Sequence, residues 1–130
     1  MPSGVVMDRP IRTLHWTAPD ADEPTDVTDA VVTAVLSATP HPDETVDRPK
    51  GYSIVLTLKP DSTAFAEALQ EALVAFDPIT VSLQLEDPDA VVEGLPVGVT
   101  RVPHLGEQNE AEFSVKPDGH EQLHPYFEPA

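Results

Sequence analysis

The chain contains no cysteine, so it forms no disulfide, holds no thiolate-bound metal and offers no cysteine nucleophile. Bases are scarce: seven Lys and Arg stand against 23 Asp and Glu, for a formal net charge of -16, and none lies between Lys59 and Arg101. Such a surface repels phosphate backbones and anionic lipid, which argues against direct nucleic-acid binding and against electrostatic membrane attachment. No apolar run approaches the ~18 residues of a membrane-spanning helix. The opening Met1-Pro2-Ser3-Gly4-Val5-Val6-Met7-Asp8 lacks the basic stretch and apolar core of a secretory signal peptide. The six glycines are isolated, and neither a phosphate-binding loop, nor G-x-G-x-x-G, nor G-x-S-x-G occurs.

What is present suffices for one folded domain. Leu, Ile, Val and Phe account for 34 of the 130 residues, above the content of a disordered polymer. The 15 prolines stiffen long connections. The acids are spread along the chain, with net charges of -5, -7 and -4 over residues 1–50, 51–100 and 101–130 and no block of five like charges. Uniform acidity with only three lysines (Lys50, Lys59 and Lys116) resembles proteins of salt-loving organisms, where screening removes the repulsion and hydration maintains solubility. A GC-rich mesophile would share the abundance of Ala, Val, Asp, Pro and Thr. A DNA mimic or a partner for a basic surface is a third reading.

Along the chain, residues 1–10 read as an extended arm and 11–17 as a short strand with Leu14 and Trp16 on one face. Residues 27–38 fit either a helix, with Val27, Ala30, Val31, Ala34, Val35 and Ala38 on one stripe, or a strand, which their Val and Thr content favours. Residues 52–58 and 79–85 alternate as strands. Between them 61–76 reads as a helix capped by Asp61, with Phe65, Ala68, Leu69, Ala72, Leu73 and Phe76 buried and Asp77-Pro78 as its stop. This strand–helix–strand unit predicts a right-handed crossover if its strands lie parallel. Residues 90–94 suggest one helical turn closed by Gly94, 97–102 and 112–115 are late strands, and 117–130 an extended arm. The expected fold is α+β: one main helix (61–76) packed on a mixed sheet of four to six strands, as a single domain over 11–116 between arms 1–10 and 117–130.

One catalytic pattern matches literally. His120-Glu121-Gln122-Leu123-His124 is H-E-x-x-H, which resembles the zincin metallopeptidase motif, where two His one helical turn apart bind zinc and the Glu activates water. Pro117, Gly119 and Pro125 argue against a helix there, so the match is treated as a decoy and neither a metal nor a cofactor is expected. The carboxylate pairs Asp20/Asp22, Asp43/Glu44 and Asp87/Asp89 lie in proline-rich loops, where solvated surface is the expectation. Residues 20–25 fail the EF-hand pattern at its fifth and sixth positions. His15, His41 and His104 stand singly.

The aromatics of the second arm, Tyr126 and Phe127, together with Leu123, suggest docking on a partner, as do Leu14 and Trp16 beside the first; packing back onto the chain's own domain is the competing reading. The expected function is a non-enzymatic structural subunit of a larger homo- or hetero-oligomeric assembly, and by analogy a virion component: a head, neck or tail part of a tailed virus with a halophilic host. Its location would be the virion, or the cytoplasm if host-encoded. The alternative is a small α+β enzyme or ligand-binding domain with a pocket between helix and sheet.

Overall fold

Strict alternation of buried and wetter side chains runs through Gly51–Leu58 and Ile79–Leu85. One-sided burial of this kind is what an antiparallel sheet with a single dry face requires. The computed structural model describes residues 8–17, 22–39, 50–75, 79–86, 89–104 and 107–126. In chain order these form strands β1 (Asp8–Thr17), β2 (Thr25–Asp26), β3 (Val31–Thr39) and β4 (Gly51–Leu58), helix α1 (Thr63–Ala75), strands β5 (Ile79–Leu85), β6 (Ala90–Arg101) and β7 (Glu110–Val115), and a short helical turn α2 (His120–Leu123).

The strands close into a barrel. β1 pairs with β3, β3 with β4, β4 with β7, β7 with β6 and β6 with β5, every pair antiparallel. Pairing of β5 with β1, from Ile11↔Leu85 to Thr17↔Thr80, completes a ring of six. The two-residue β2 lies against β1 outside the ring. The expected α+β fold, a helix on a mixed sheet, is therefore overturned: the protein is mostly β, and β4 and β5 are separated in the ring by β7 and β6 rather than joined by a parallel crossover. The interior is filled by side chains from all six strands, among them Leu14, Leu36, Ile54, Leu56, Leu83, Leu95 and Phe113, and no charged side chain is buried among the described residues.

Helix α1 forms close to its expected span, with Phe65, Leu69 and Ala72 buried, but as a cover and not a layer. It follows the last residue of β4, and the ring of Phe65 meets Trp16 edge-on, centroids 5.3 Å apart at 67°. The opposite end of β4 is covered by residues 117–126. Here the structure corrects the extended arms. Asp8, Arg9 and Pro10 belong to β1, opposite Ser37, Leu36 and Val35. Residues 117–126 fold as a 3-10 turn (Pro117–Gly119), α2 and a second 3-10 turn (His124–Tyr126), which together form a strap. Residues 1–7 and 127–130 lie outside the described residues.

Two further expectations change. In 27–38 the chain makes a 3-10 turn (Thr28–Ala30) and then strand β3, so the strand reading holds from Val31 onward. The proposed turn at 90–94 is the first part of β6. There Gly94 takes φ 65°, a conformation costly for residues with a Cβ, at a register shift opposite Ser82, whose hydroxyl accepts the Gly94 N–H (3.2 Å).

Candidate functional site

Because inward positions are spent on the core, the chemistry available to this fold lies on its outer wall. Cross-strand register lines up small outward residues there: Asp8↔Ser37, Ser37↔Ser53, Ser53↔Ser114 and Ser114↔Gly98. The Ser37 hydroxyl donates to Asp8 Oδ1 at 2.6 Å. Over Ser53 and Ser114 the low side chains leave an open groove of about 540 Å³, bounded by Lys50 at the start of β4, by Thr100 and Glu112, and by Pro117 and His120 of the strap. Thr100 Oγ1 donates to Glu112 Oε1 at 2.9 Å, holding that carboxylate along the wall. The groove thus offers hydroxyls and charges of both signs, a surface for polar contact. The described residues show no hydrogen bond between His120 and either serine, so no nucleophile–base pair is set up here.

The H-E-x-x-H segment does form a helical turn, contrary to the expectation that its prolines forbid one. Pro117 occupies the first position of the preceding 3-10 turn, where its missing N–H costs nothing, and Gly119 lets the chain press onto Leu95 and Pro96. The turn is used for docking. Tyr52, buried at the start of β4, is hydrogen-bonded through its hydroxyl to Nδ1 of His124 at 2.6 Å. The His120 ring stands edge-on to Tyr52 with centroids 5.3 Å apart, and its Nε2 lies 3.4 Å from the Val115 carbonyl oxygen. The two imidazole centroids are 6.3 Å apart, and Glu121 is exposed. Among the described residues no group of three or more His, Asp or Glu is placed to hold a metal ion.

The five residues suggested for partner docking divide as follows. Leu14 and Trp16 are buried in the barrel and Leu123 of the strap is fully buried. Tyr126 is half-buried, and its carbonyl accepts from Arg9 Nε at 2.9 Å. Phe127 lies outside the described residues, as do Asp20, His41, Asp43, Glu44 and Asp87. The four that are described pack within this chain, and a partner reaches Leu14, Trp16 or Leu123 only by displacing that packing. Of the remaining candidates, Asp22 is exposed, Asp89 accepts from Gln84 Nε2 at 2.8 Å, and His104 is exposed. His15 Nε2 lies 3.7 Å from Asp26 Oδ2. The Asp26 carboxyl is held below its ordinary pKa by hydrogen bonds from Thr28, side chain first and then backbone N–H, with a smaller contribution from His15.

Sequence reasoning missed the exposed apolar residues. Val32, Val74 and Val91 are 60%, 71% and 60% exposed, on β3, α1 and β6 respectively. Val32 is turned outward by a register shift between Val31 and Thr33, which simple alternation does not reveal. Val74 shares a shallow cleft with Glu67, Gln70 and Glu71 on the outer face of α1, so this cleft is not the expected pocket between helix and sheet. No helix among the described residues is long and apolar enough to cross a membrane. No protein-family model, curated protein or solved structure matches the chain.

Proposed function

We propose that this protein is a non-enzymatic structural subunit of a larger protein assembly, of the kind that builds the head, neck or tail of a tailed virus in a salt-rich host. One observation carries the proposal: Val32 and Val91 are exposed on β3 and β6, which stand three strands apart whichever way the ring of six is counted. Apolar contacts on opposite walls suit a subunit with a neighbour on each side, whereas a ligand-binding domain concentrates its apolar surface in one concavity. Light scattering on the eluting full chain, in dilute and in molar salt, tests the proposal. Species of several subunits are expected in molar salt, and a single 14.0 kDa species under all conditions would contradict it.

The competing ligand-binding reading draws on the open groove beside Lys50, Glu112 and His120. It predicts saturable uptake of a small polar solute that Ser114→Trp abolishes with no change in molar mass.

A further inference from the structure

We propose that the groove over Ser53 and Ser114 is a carbohydrate site that takes a neutral saccharide of two pyranose rings. This site is separate from the walls of the assembly reading, since it lies on β4 and β7 while Val32 and Val91 stand on β3 and β6. The floor dictates the hydrogen-bonding chemistry of the ligand. Ser53 and Ser114 are register partners, so their side chains stand side by side, about 5 Å apart at Cβ. Among the described residues neither hydroxyl is engaged elsewhere, and each can donate and accept. Thr100 gives its hydrogen to Glu112 Oε1 at 2.9 Å, which fixes that carboxylate and leaves Oε2 to accept. A ligand that answers this lining must itself donate and accept at several points, as the hydroxyls of a sugar do.

The charges favour a neutral ligand. Lys50 and Glu112 line the groove with opposite signs and cancel. Around it Arg101 is bridged to Glu110 at 3.3 Å, and Lys116 stands among the exposed acids Asp8, Asp118 and Glu121. That balance is mildly acidic and turns an anion away. A cation finds only one carboxylate in the described lining, that of Glu112. Lys50 and Glu112 serve instead as charged hydrogen-bond partners for sugar hydroxyls, stronger than neutral ones. Glu112 is opposite Val55, four residues beyond Gly51, so the groove follows β4 for about 13 Å, a span that seats two rings in line. Pro117 and the His120 ring wall one side with the apolar surface that the C–H face of a sugar covers.

Titration of the isotope-labelled full chain with cellobiose, maltose and lactose, followed by NMR, tests this. At least one of the three is expected to shift the amides of Ser53, Glu112 and Ser114 saturably, with a Kd on the order of 1 mM. Ser114→Trp, which fills the floor, is expected to abolish the shifts. Glu112→Gln is expected to weaken binding about tenfold, because a neutral acceptor replaces a charged one. Both positions face outward, and the dispersion of each variant's spectrum verifies that the fold is kept. Cellobiuronic acid, the anionic counterpart of cellobiose, is expected to bind about tenfold more weakly than the neutral sugar. No saturable shift with any of the three sugars would overturn the site, as would shifts that survive Ser114→Trp. An acidic disaccharide that binds as tightly as the neutral one would overturn the neutral ligand. Molar mass measured on the same samples keeps the two readings apart: a chain that binds sugar yet stays monomeric would refute the assembly reading and leave this site standing.

Discussion

At Gly119 the strap packs against Leu95 and Pro96 of the barrel, and replacing it with alanine measures how firmly the two are pressed together. A Cβ built there would lie 2.7 Å from Leu95 Cδ1, 3.0 Å from Pro96 Cδ and 3.3 Å from Pro96 Cγ. The backbone itself does not object, since φ -96° and ψ -5° suit any residue. On backbone entropy alone the substitution would stabilise by roughly 0.4–1 kcal/mol. Leu95 is fully buried and the Pro96 ring is rigid, so relief requires the strap to lift or the core to shift, at about 1–3 kcal/mol. The net expectation is a loss of about 1–2 kcal/mol, or roughly 4–8 °C in Tm for a domain of this size. Urea unfolding followed by the single tryptophan, Trp16, reports the whole barrel, and amide exchange over 117–126 reports the strap. Gly98→Ala is the control, because a Cβ there meets nothing within 4 Å. A Gly119→Ala protein as stable as the parent by both readouts would refute the packing of strap on barrel.

Leu123→Ala removes a fully buried side chain and should cost about 2–5 kcal/mol, read as a lower urea midpoint or, if the strap opens alone, as faster exchange confined to 117–126. Raising KCl from about 0.1 M to about 1 M shortens the Debye length from about 10 Å to about 3 Å, so a chain of charge -16 should melt at a higher temperature, and an unchanged Tm would remove the salt-adapted reading. The carboxyl of Asp26 should titrate below 3.8 in carbon-detected NMR, and Thr28→Val should raise it by removing the side-chain hydrogen bond. Its folded pKa being the lower one, the stability it contributes is present above its unfolded value and lost as pH falls through the folded one; because Asp26 is exposed the effect on unfolding is small.

Local pattern was legible where one face of an element settles its burial. Strand 79–85 appears as read, 52–58 gains only Gly51, and the helix expected over 61–76 spans Thr63–Ala75. The misreading was of arrangement. A strand–helix–strand order suggested a parallel pair, yet strands of a sheet covered on both faces are apolar throughout, and the polar alternate positions of β4 and β5 already favoured an antiparallel sheet wet on one side. β6 was hidden by its own residues. Gly94 suggested a helix end, whereas the strand runs on through Pro96, which is opposite Thr80 and whose carbonyl accepts the Lys116 N–H at 2.9 Å. Barrel closure depends on β1 pairing first with β3 and then with β5, contacts distant in sequence that leave no local signature.

The candidate sites were less legible for a related reason. Tyr126 and Leu123 advertise burial without saying against what, and here the answer is the chain itself. Pro117 was counted against a helix, although proline at a first helical position favours one. Conversely, nothing in the sequence marks Val32 or Val91 as exposed, and only β3's register shift and β6's phase turn them toward solvent.

The central claim is that the outer walls of β3 and β6, and not the groove or the barrel ends, are where this protein meets its neighbours. The most direct measurement is an NMR dilution series on the assigned full chain in molar salt. Resonances of Val32 on one wall and of Val91 on the other should shift or broaden together as concentration rises. Those of Ser53, Ser114 and the strap should stay fixed. Spectra that do not change with concentration, or changes centred on the groove with both valine walls unaffected, would contradict the account.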